Sequence, residues 1–333
     1  MKWYKYESLD GPYYTWKPKS GRKWLYAGEG NQVPTPKQAV ELLNSLSPSS
    51  HVYGNGCIQD DHYKDHTEPS CELPSGSYRI VRSSYGDEDP DRFVPIDIRD
   101  DKYTRMPSLL DPIIKDIDSF IASEPIYRKV GSHYKRGILL YGPPGEGKSA
   151  LIRDLLRNEL KDAVTLFLDA VPSAEFLNAI NKGLKERLKV FVFEELLSAV
   201  EQQFDKLLRF LDGEVSSDKS MVFATTNYPE KLPQNIVDRP SRFDKVYKMG
   251  DPNIEQRTII LNHYLMRPAT DVEIEQTSGL STAAIKEVAF LVHLQHLTVQ
   301  EAAKKLKDHS ALVKNDFAAP RKLGLSRNFG DDD

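Results

Sequence analysis

Short apolar runs alternate with helical patterns through the middle of the chain. Four of these runs are rich in β-branched and aromatic residues and are typical of buried strands. They cover residues 137–141, 164–168, 189–193 and 221–227. The first run is followed by a glycine-rich segment and then by Ala150–Leu156, where apolar residues recur at helical spacing. The pattern therefore predicts strands and helices in this part of the chain.

The first 105 residues have a different texture, with many aromatic side chains that include all three tryptophans. Alternation of apolar and polar positions predicts strands over residues 13–17, 23–27, 77–82 and 93–98, the first two joined by a turn at 18–21. Thr35 before Pro36 is a helix-start signal and predicts a helix that continues through Leu46. We expect a small α+β domain over residues 1–105.

Helical spacing returns at residues 108–121, where Asp111 is a candidate cap and Pro112 fits the first turn. Asp251 and Pro252 mark a domain turn. Helical patterns then cover residues 255–266, 271–277, 281–292 and 298–307. The predicted domains are an α/β core with its linking helix at 106–250, a helical domain at 251–314 and a flexible tail at 315–333.

Composition and charge argue against several classes of protein. The 333 residues carry 45 Lys and Arg against 49 Asp and Glu, so the net charge of −4 gives no global footprint for nucleic acid or an anionic membrane. No apolar run is long enough for a transmembrane helix, and the start lacks the apolar core of a secretion signal. Two cysteines fit a reducing cytoplasm better than a disulfide framework.

The glycine-rich segment that follows the first strand fits the phosphate-loop pattern G-x-x-x-x-G-K-[ST] at every fixed position. Its glycines let backbone N–H groups surround phosphates, and the helix N-terminus adds partial positive charge. Lys148 is expected to reach the β- and γ-phosphates, and Ser149 to offer its hydroxyl to Mg²⁺. The predicted nucleotide-contacting residues are Gly142, Pro143, Pro144, Gly145, Glu146, Gly147, Lys148, Ser149 and Ala150.

Polar residues follow two later strands. Glu194 and Glu195 directly follow the run at 189–193, where the first carboxylate can hold the Mg²⁺ hydration shell and the second can polarise a water. Asn227 ends the next run, and its amide can orient that water or contact the γ-phosphate. Arg239 and Arg242 are candidates for fingers that complete the site of a neighbouring subunit.

With these motifs in order, residues from about 125 to 310 resemble an AAA+ ATPase of the classical AAA group. The segments Gly131–Gly145, Phe210–Gly213 and Ala224–Leu232 resemble the mitochondrial Rieske-protein translocase branch more narrowly. Arg239–Asp244 matches the arginine-finger segment of the wider family, and Gly279–Lys286 matches its lid segment near the nucleotide.

The resemblance implies a P-loop NTPase core with a parallel sheet and a helical lid, which hydrolyses ATP with Mg²⁺ in a homo-oligomeric ring, a hexamer or heptamer. By this resemblance Lys148 and Ser149 belong to Walker A, Glu194 and Glu195 to Walker B, and Asn227 is sensor 1. Ser149 and Glu194 become the Mg²⁺ residues. Arg239 and Arg242 become fingers that act in trans.

Three departures limit what the resemblance implies. Glu194 stands where Walker B usually has aspartate. The segment 170–189 lacks the aromatic pore loop of threading unfoldases, since Phe176 is its only aromatic residue. The amino-terminal region shows neither the membrane anchor nor the substrate-handling domain of the mitochondrial branch. The substrate of that branch is therefore not carried over, and no membrane partner is expected.

Two features of the amino-terminal region leave alternatives open. Aromatic residues interleaved with Lys2, Lys5, Lys17, Lys19, Arg22 and Lys23 suit either single-stranded nucleic acid or a small β domain with an aromatic core. Cys57, His62, His66 and Cys71 are an adequate tetrahedral zinc set, although their spacing is not a standard one.

The leading hypothesis is a cytoplasmic AAA+ ring ATPase that remodels a protein or nucleic-acid substrate, in a host cytoplasm if the protein is viral. The alternative is a nucleotide-dependent binding switch that acts on nucleic acid through the basic aromatic amino-terminal domain.

Overall fold

The computed structural model describes residues 104–318 except 185, 214–217 and 240, together with residues 73–81, 92–98 and six strands before residue 71. The chain divides into two compact units. The first contains residues 1–100, 114–140 and 152–247, and the second contains residues 101–113, 141–151 and 248–333.

A large mixed sheet forms the centre of the first unit. Its strands are β1 (Trp3–Ser8), β2 (Gly11–Thr15), β6 (Pro69–Ser70), β7 (Gly76–Val81), β8 (Arg92–Ile96), β9 (Lys135–Tyr141), β10 (Val164–Phe167), β11 (Lys189–Phe193), β12 (Ser220–Thr226) and β13 (Lys245–Lys248). They lie in the order β13-β9-β12-β11-β10-β7-β8-β2-β1-β6. Strand β11 is parallel to β10 and to β12, and β7 is parallel to β10.

The central strands explain why the sequence shows continuous apolar runs there. Every residue of β11 and β12 is buried, so both faces of these strands are covered, as in parallel sheets between helices. Phe210 meets Phe191 and Phe193 edge to face, with ring centroids 5.3 and 5.8 Å apart. This aromatic cluster lies in the core of the first unit and holds β11 in place.

The strands predicted at 77–82 and 93–98 are confirmed as β7 and β8, which pair antiparallel. Because β7 pairs with β10, the sheet of the core continues across the predicted boundary at residue 105. The strand pattern itself did not indicate this, since the partners lie far apart in the sequence.

The predicted hairpin near the amino terminus is wrong in its pairing. Strand β2 pairs with β1 and β8, whereas β3 (Lys23–Tyr26) lies in a second sheet of order β3-β5-β4. In that sheet β5 (Cys57–Asp60) lies in the middle and pairs antiparallel with both β3 and β4 (Ser50–Val52). The two strands are close in sequence, but each finds its partner elsewhere. The helix predicted from Pro36 to Leu46 lies outside the described residues.

Six described helices between residues 107 and 237 connect the strands along the chain or precede them. They are α1 (Pro107–Ala122), α2 (Glu124–Val130), α3 (Lys148–Asn158), α4 (Ala174–Gly183), α5 (Leu196–Asp212) and α6 (Gln234–Val237). Helix α1 begins at Pro107, earlier than the sequence predicts, so Asp111 is not its cap and Pro112 lies inside it. Proline at the first position already suits a helix start, which moves the beginning upstream.

The described part of the second unit continues with the helices α7 (Ile254–Leu265), α8 (Asp271–Gln276), α9 (Thr282–Gln295) and α10 (Val299–Ala318). Asn253 and Thr270 each form a capping box with the residue three positions on, which explains where α7 and α8 begin. Helix α10 extends to Ala318, past the predicted start of the tail at residue 315. Among the described helices, none is long and apolar enough to cross a membrane.

Candidate functional site

Three glycines give the phosphate loop its shape. Gly142, Gly145 and Gly147 have φ angles of 148°, 87° and 84°, in the region that side chains rarely adopt. At Gly142 the space is closed as well, because a Cβ atom would lie 1.7 Å from the carbonyl oxygen of Met249. The sequence pattern therefore reflects a backbone that glycine alone can adopt without strain.

Lys148 lies at the start of α3 and is buried. Its Nζ donates hydrogen bonds of 2.7 Å to the carbonyl oxygens of Gly142 and Pro143. The ammonium group is thus held over the loop by neutral acceptors, which phosphate oxygens can replace as stronger, charged acceptors. With Ser149 next to it in the first turn of α3, the loop fits a polyphosphate and its Mg²⁺ ion. Pro143 and Pro144 are exposed.

Glu146 occupies a variable position of the phosphate-loop pattern, but it is almost completely buried, with 2% of its surface exposed. Its Oε2 accepts hydrogen bonds of 3.1 Å from both the backbone N–H and the hydroxyl of Thr282. Burial raises the pKa of the Glu146 carboxyl, and the hydrogen bonds from Thr282 oppose that rise. Thr282 lies in the segment 279–286 that resembles a lid, yet no sequence signal indicated its contact with Glu146.

The structure brings Glu195 and Asn227 together at the ends of the neighbouring strands β11 and β12. Asn227 Nδ2 donates a 2.7 Å hydrogen bond to Glu195 Oε2. The hydroxyl of Thr226 donates to Glu195 Oε1 at 3.1 Å, so both carboxylate oxygens are held. Thr226 was not predicted as a site residue, although its place beside Asn227 at a strand end was a usable signal.

Glu195 also has an unusual backbone, with φ 58° and ψ 75° at the N-cap of α5. This left-handed conformation costs about 1–2 kcal/mol for a residue with a side chain. The hydroxyl of Thr225 accepts a 3.0 Å hydrogen bond from the Glu195 N–H and helps to hold it. Strain of this kind clusters at functional sites, where it fixes the direction of a side chain.

Glu194 differs from Glu195 in its surroundings. It is exposed, and its Oε1 lies 3.4 Å from the guanidinium of Arg153 on α3. An exposed carboxylate has oxygen lone pairs that can accept hydrogen bonds from water or bind a hydrated cation. The two adjacent glutamates therefore occupy two different environments.

The two predicted finger arginines share one carboxylate, Asp212 at the end of α5. Arg242 is buried and binds both Asp212 oxygens at 2.7 Å, and it also donates to the carbonyl of Asn235 at 2.5 Å. Arg239 is 60% exposed and makes one contact with Asp212, at 3.1 Å. The hydrogen bond from Arg242 holds the pKa of Asp212 below its usual value. Sequence analysis missed Asp212 as a partner of these arginines.

Phe176 is not available to an exposed pore loop. It is buried on α4 and stacks on Phe93 of β8, with ring centroids 5.3 Å apart. The preceding loop lines a cavity of about 840 Å³ together with Arg79 and Lys206. The absence of an aromatic pore loop from segment 170–189 stays a prediction from the sequence.

Three residues of the predicted zinc set, His62, His66 and Cys71, lie outside the described residues. For Cys57 the structure gives the backbone, in β5. In the part of the chain that the structure describes, no group of three metal-binding side chains lies together. The zinc set stays an alternative from the sequence.

Comparison with known proteins identifies the domain that carries these motifs. The family described as "ATPase family associated with various cellular activities (AAA)" matches residues 138–251. A probable mitochondrial chaperone bcs1 of Schizosaccharomyces pombe is 30% identical over 234 residues, which is 63% of this chain and 50% of that protein. An AAA-ATPase of Arabidopsis thaliana is 30% identical over 222 residues, 58% of this chain and 41% of that protein.

A bacterial protein is also similar to this chain. The ATP-dependent zinc metalloprotease FtsH of Marinobacter nauticus is 28% identical over 204 residues, 53% of this chain and 32% of that protein. The chain thus spans half or less of the length of these three relatives. Residues 138–251 form a domain of the AAA ATPase family, with a P-loop α/β core similar to that of the mitochondrial chaperone bcs1.

Proposed function

We propose that the chain binds ATP at the phosphate loop and hydrolyses it with Glu195 as the residue that activates the attacking water. The observation that carries this proposal is the pair of hydrogen bonds from Thr226 and Asn227 to the Glu195 carboxylate, on a left-handed backbone. A carboxylate held at both oxygens has a fixed direction, which is what a water-positioning group needs.

The other residues receive roles that follow from their chemistry. Lys148 neutralises phosphate charge, since its present acceptors are loop carbonyls. Ser149 and the exposed Glu194 would hold Mg²⁺, directly or through its water shell. The bound ion would neutralise charge that develops on the phosphate oxygens. Asn227 keeps Glu195 oriented and acts as the polar sensor of the γ-phosphate.

The proposed assembly is a homo-oligomeric ring in which an arginine reaches the site of the next subunit. Of the two proposed fingers, Arg239 is the better placed, because its side chain is 60% exposed and that of Arg242 is 4% exposed. An arginine finger has to leave its own subunit, and the three hydrogen bonds of Arg242 oppose this.

The proposed use of ATP turnover is remodelling of a macromolecule in the cytoplasm. The name of the bcs1 relative describes a chaperone, and that of the FtsH relative an ATP-dependent protease. Both names are compatible with work on protein substrates. The low cysteine content supports a reducing compartment.

The alternative function, a nucleotide-dependent switch on nucleic acid, loses the hairpin that motivated it. Its motivating hairpin does not form, because β2 and β3 belong to different sheets. Turnover measured with and without single-stranded DNA separates the two functions: stimulation favours the switch, and the absence of both binding and stimulation removes it.

The decisive experiment compares Glu195→Gln with the wild type and with Glu201→Gln, a matched change on the exposed side of α5. Loss of a general base typically lowers turnover by about 100-fold or more. We expect Glu195→Gln to bind ATP as the wild type does and to lose turnover, while Glu201→Gln keeps both. Full turnover by Glu195→Gln would exclude Glu195 as the activating group.

A further inference from the structure

A carboxylate inside a phosphate loop is electrostatically unexpected. Glu146 lies two positions before Lys148, in a segment whose backbone is shaped to receive anions. A negative charge that faced the phosphates would repel them. In the structure the Glu146 side chain is instead buried against the first turn of α9.

The first turn of α9 obtains two of its hydrogen-bond acceptors from the phosphate loop. An α-helix begins with N–H groups that have no partner inside the helix. The N–H of Thr282 donates to Glu146 Oε2 at 3.1 Å, and the N–H of Ala283 donates to the carbonyl of Gly145 at 2.9 Å. The next N–H, of Ala284, donates to the side chain of Ser281. The loop therefore caps this helix.

Contacts around these hydrogen bonds leave little freedom. A Cβ atom on Gly145 would come within 3.2 Å of Ser281 Oγ, so the loop and the helix start are in close contact. The Thr282 hydroxyl adds a second hydrogen bond to Glu146 Oε2. A carboxylate at a helix N-terminus also interacts favourably with the helix dipole. Among the residues that the structure describes, the other oxygen, Glu146 Oε1, is buried without a hydrogen-bond partner.

We propose that Glu146 is a positioning residue that fastens the phosphate loop to the first turn of α9, so that a change in the loop is transmitted to the helix. When phosphates replace the carbonyl acceptors of Lys148, the loop adjusts, and Glu146 and Gly145 carry that adjustment to Thr282 and Ala283. The transmission step rests on the proposed ATP binding, whereas the contact itself does not.

Hydrogen exchange of the segment 280–286 tests the contact without nucleotide. Glu146→Ala removes both hydrogen bonds to Thr282, and we expect exchange of this segment to become about tenfold faster or more. Glu146→Gln keeps a carbonyl acceptor and should stay close to the wild type. Glu287→Ala, an exposed carboxylate on the same helix, is the matched control and should change nothing. Unchanged exchange in Glu146→Ala would overturn the contact.

A non-hydrolysable ATP analogue with Mg²⁺ then tests transmission. In the wild type, binding should change exchange of segment 280–286, and in Glu146→Ala the analogue should bind without that change. The KM for ATP should rise about tenfold in Glu146→Ala with a smaller effect on kcat, and Glu146→Gln should restore it. A chain that does not bind the analogue would overturn both the proposed function and the transmission step. A nucleotide response that persists in Glu146→Ala would overturn transmission alone.

A double variant separates this role from general damage to the fold. Thr282→Val removes the hydroxyl and keeps the N–H. If Glu146 acts through Thr282, Glu146→Ala should raise the KM for ATP by a smaller factor in the Thr282→Val background than in the wild type. Additive effects on KM would show that the two residues act independently and would overturn the proposed route.

Discussion

Replacing Arg242 with alanine separates a structural role of this arginine from a role in catalysis. The side chain is 4% exposed and donates to both oxygens of Asp212, which is itself 18% exposed. Removing one partner of a buried ion pair costs about 3–5 kcal/mol, because the other charge stays buried without compensation. Asp212 keeps its contact with Arg239, so we expect the low end, about 3 kcal/mol.

The matched change, Arg239→Ala, removes an exposed contact with the same carboxylate. Exposed pairs contribute about 0–1 kcal/mol, so its effect on unfolding should be small. At about 2–4 °C per kcal/mol, Arg242→Ala should lower the Tm by about 6–12 °C, and Arg239→Ala by less than about 4 °C. Thermal unfolding followed by circular dichroism measures both, and Arg242→Lys tests whether charge alone can replace the paired geometry.

The pH dependence gives this prediction a second test. The hydrogen bond from Arg242 lowers the pKa of Asp212 below 3.8, so the unfolded chain binds more protons than the folded one in acid. The stability from this pair is therefore present above pH 3.8 and is lost as the pH falls through the folded pKa. The Tm gap between wild type and Arg242→Ala should be constant from about pH 5 to pH 8 and should narrow below about pH 4.

ATP turnover distinguishes the two arginines further. Arg239→Ala subunits should fold normally and lose turnover, and mixing them with Glu195→Gln subunits should restore part of it, because each supplies what the other lacks. An unchanged Tm in Arg242→Ala would refute the structural reasoning. Full turnover in Arg239→Ala would refute the proposed role of Arg239 as an arginine finger.

Two further predictions concern stability. Burial lowers the pKa of Lys189 from 10.5 to about 8, so the folded state disfavours its charged form and stability should rise with pH between 8 and 10.5. Lys189→Met should raise the free energy of unfolding at pH 7 by about 1–3 kcal/mol, and by less at pH 9.5. Urea unfolding measures this difference between variant and wild type, and a difference that does not change with pH would contradict the prediction. Gly142→Ala places a Cβ atom 1.7 Å from Met249 O at a φ of 148°, and should destabilise the chain by about 3 kcal/mol or more. Gly250→Ala, with open space around its Cβ position, is the control, and equal unfolding curves for both variants would show that the loop relaxes around the alanine.

Local signals in the sequence were sufficient for the nucleotide motifs and for the strands of the core. The phosphate loop is recognisable because its glycines, lysine and serine are consecutive, and the flanking apolar runs specify a strand and a helix without help from distant residues. Glu195 and Asn227 were each identified from their positions after apolar runs, and the structure joins them by a hydrogen bond of 2.7 Å.

Pairings between distant segments were decided by the tertiary structure alone. Strand β3 resembles a hairpin partner of β2 in sequence, yet its partner is β5, and β7 joins the core sheet through β10. Strand pairing depends on which edges meet after folding, and alternation of side chains carries no information about that.

The roles of the charged side chains divide in the same way. The sequence by itself determined that a phosphate loop, two strand-end glutamates and two arginines are present, because these motifs are local. Only the tertiary structure decided that Arg242 is held by Asp212 and that Glu146 caps a helix 136 residues further along the chain. Charge and hydrogen-bonding capacity are properties of a residue, whereas the partner that uses them depends on what the fold places within about 3 Å.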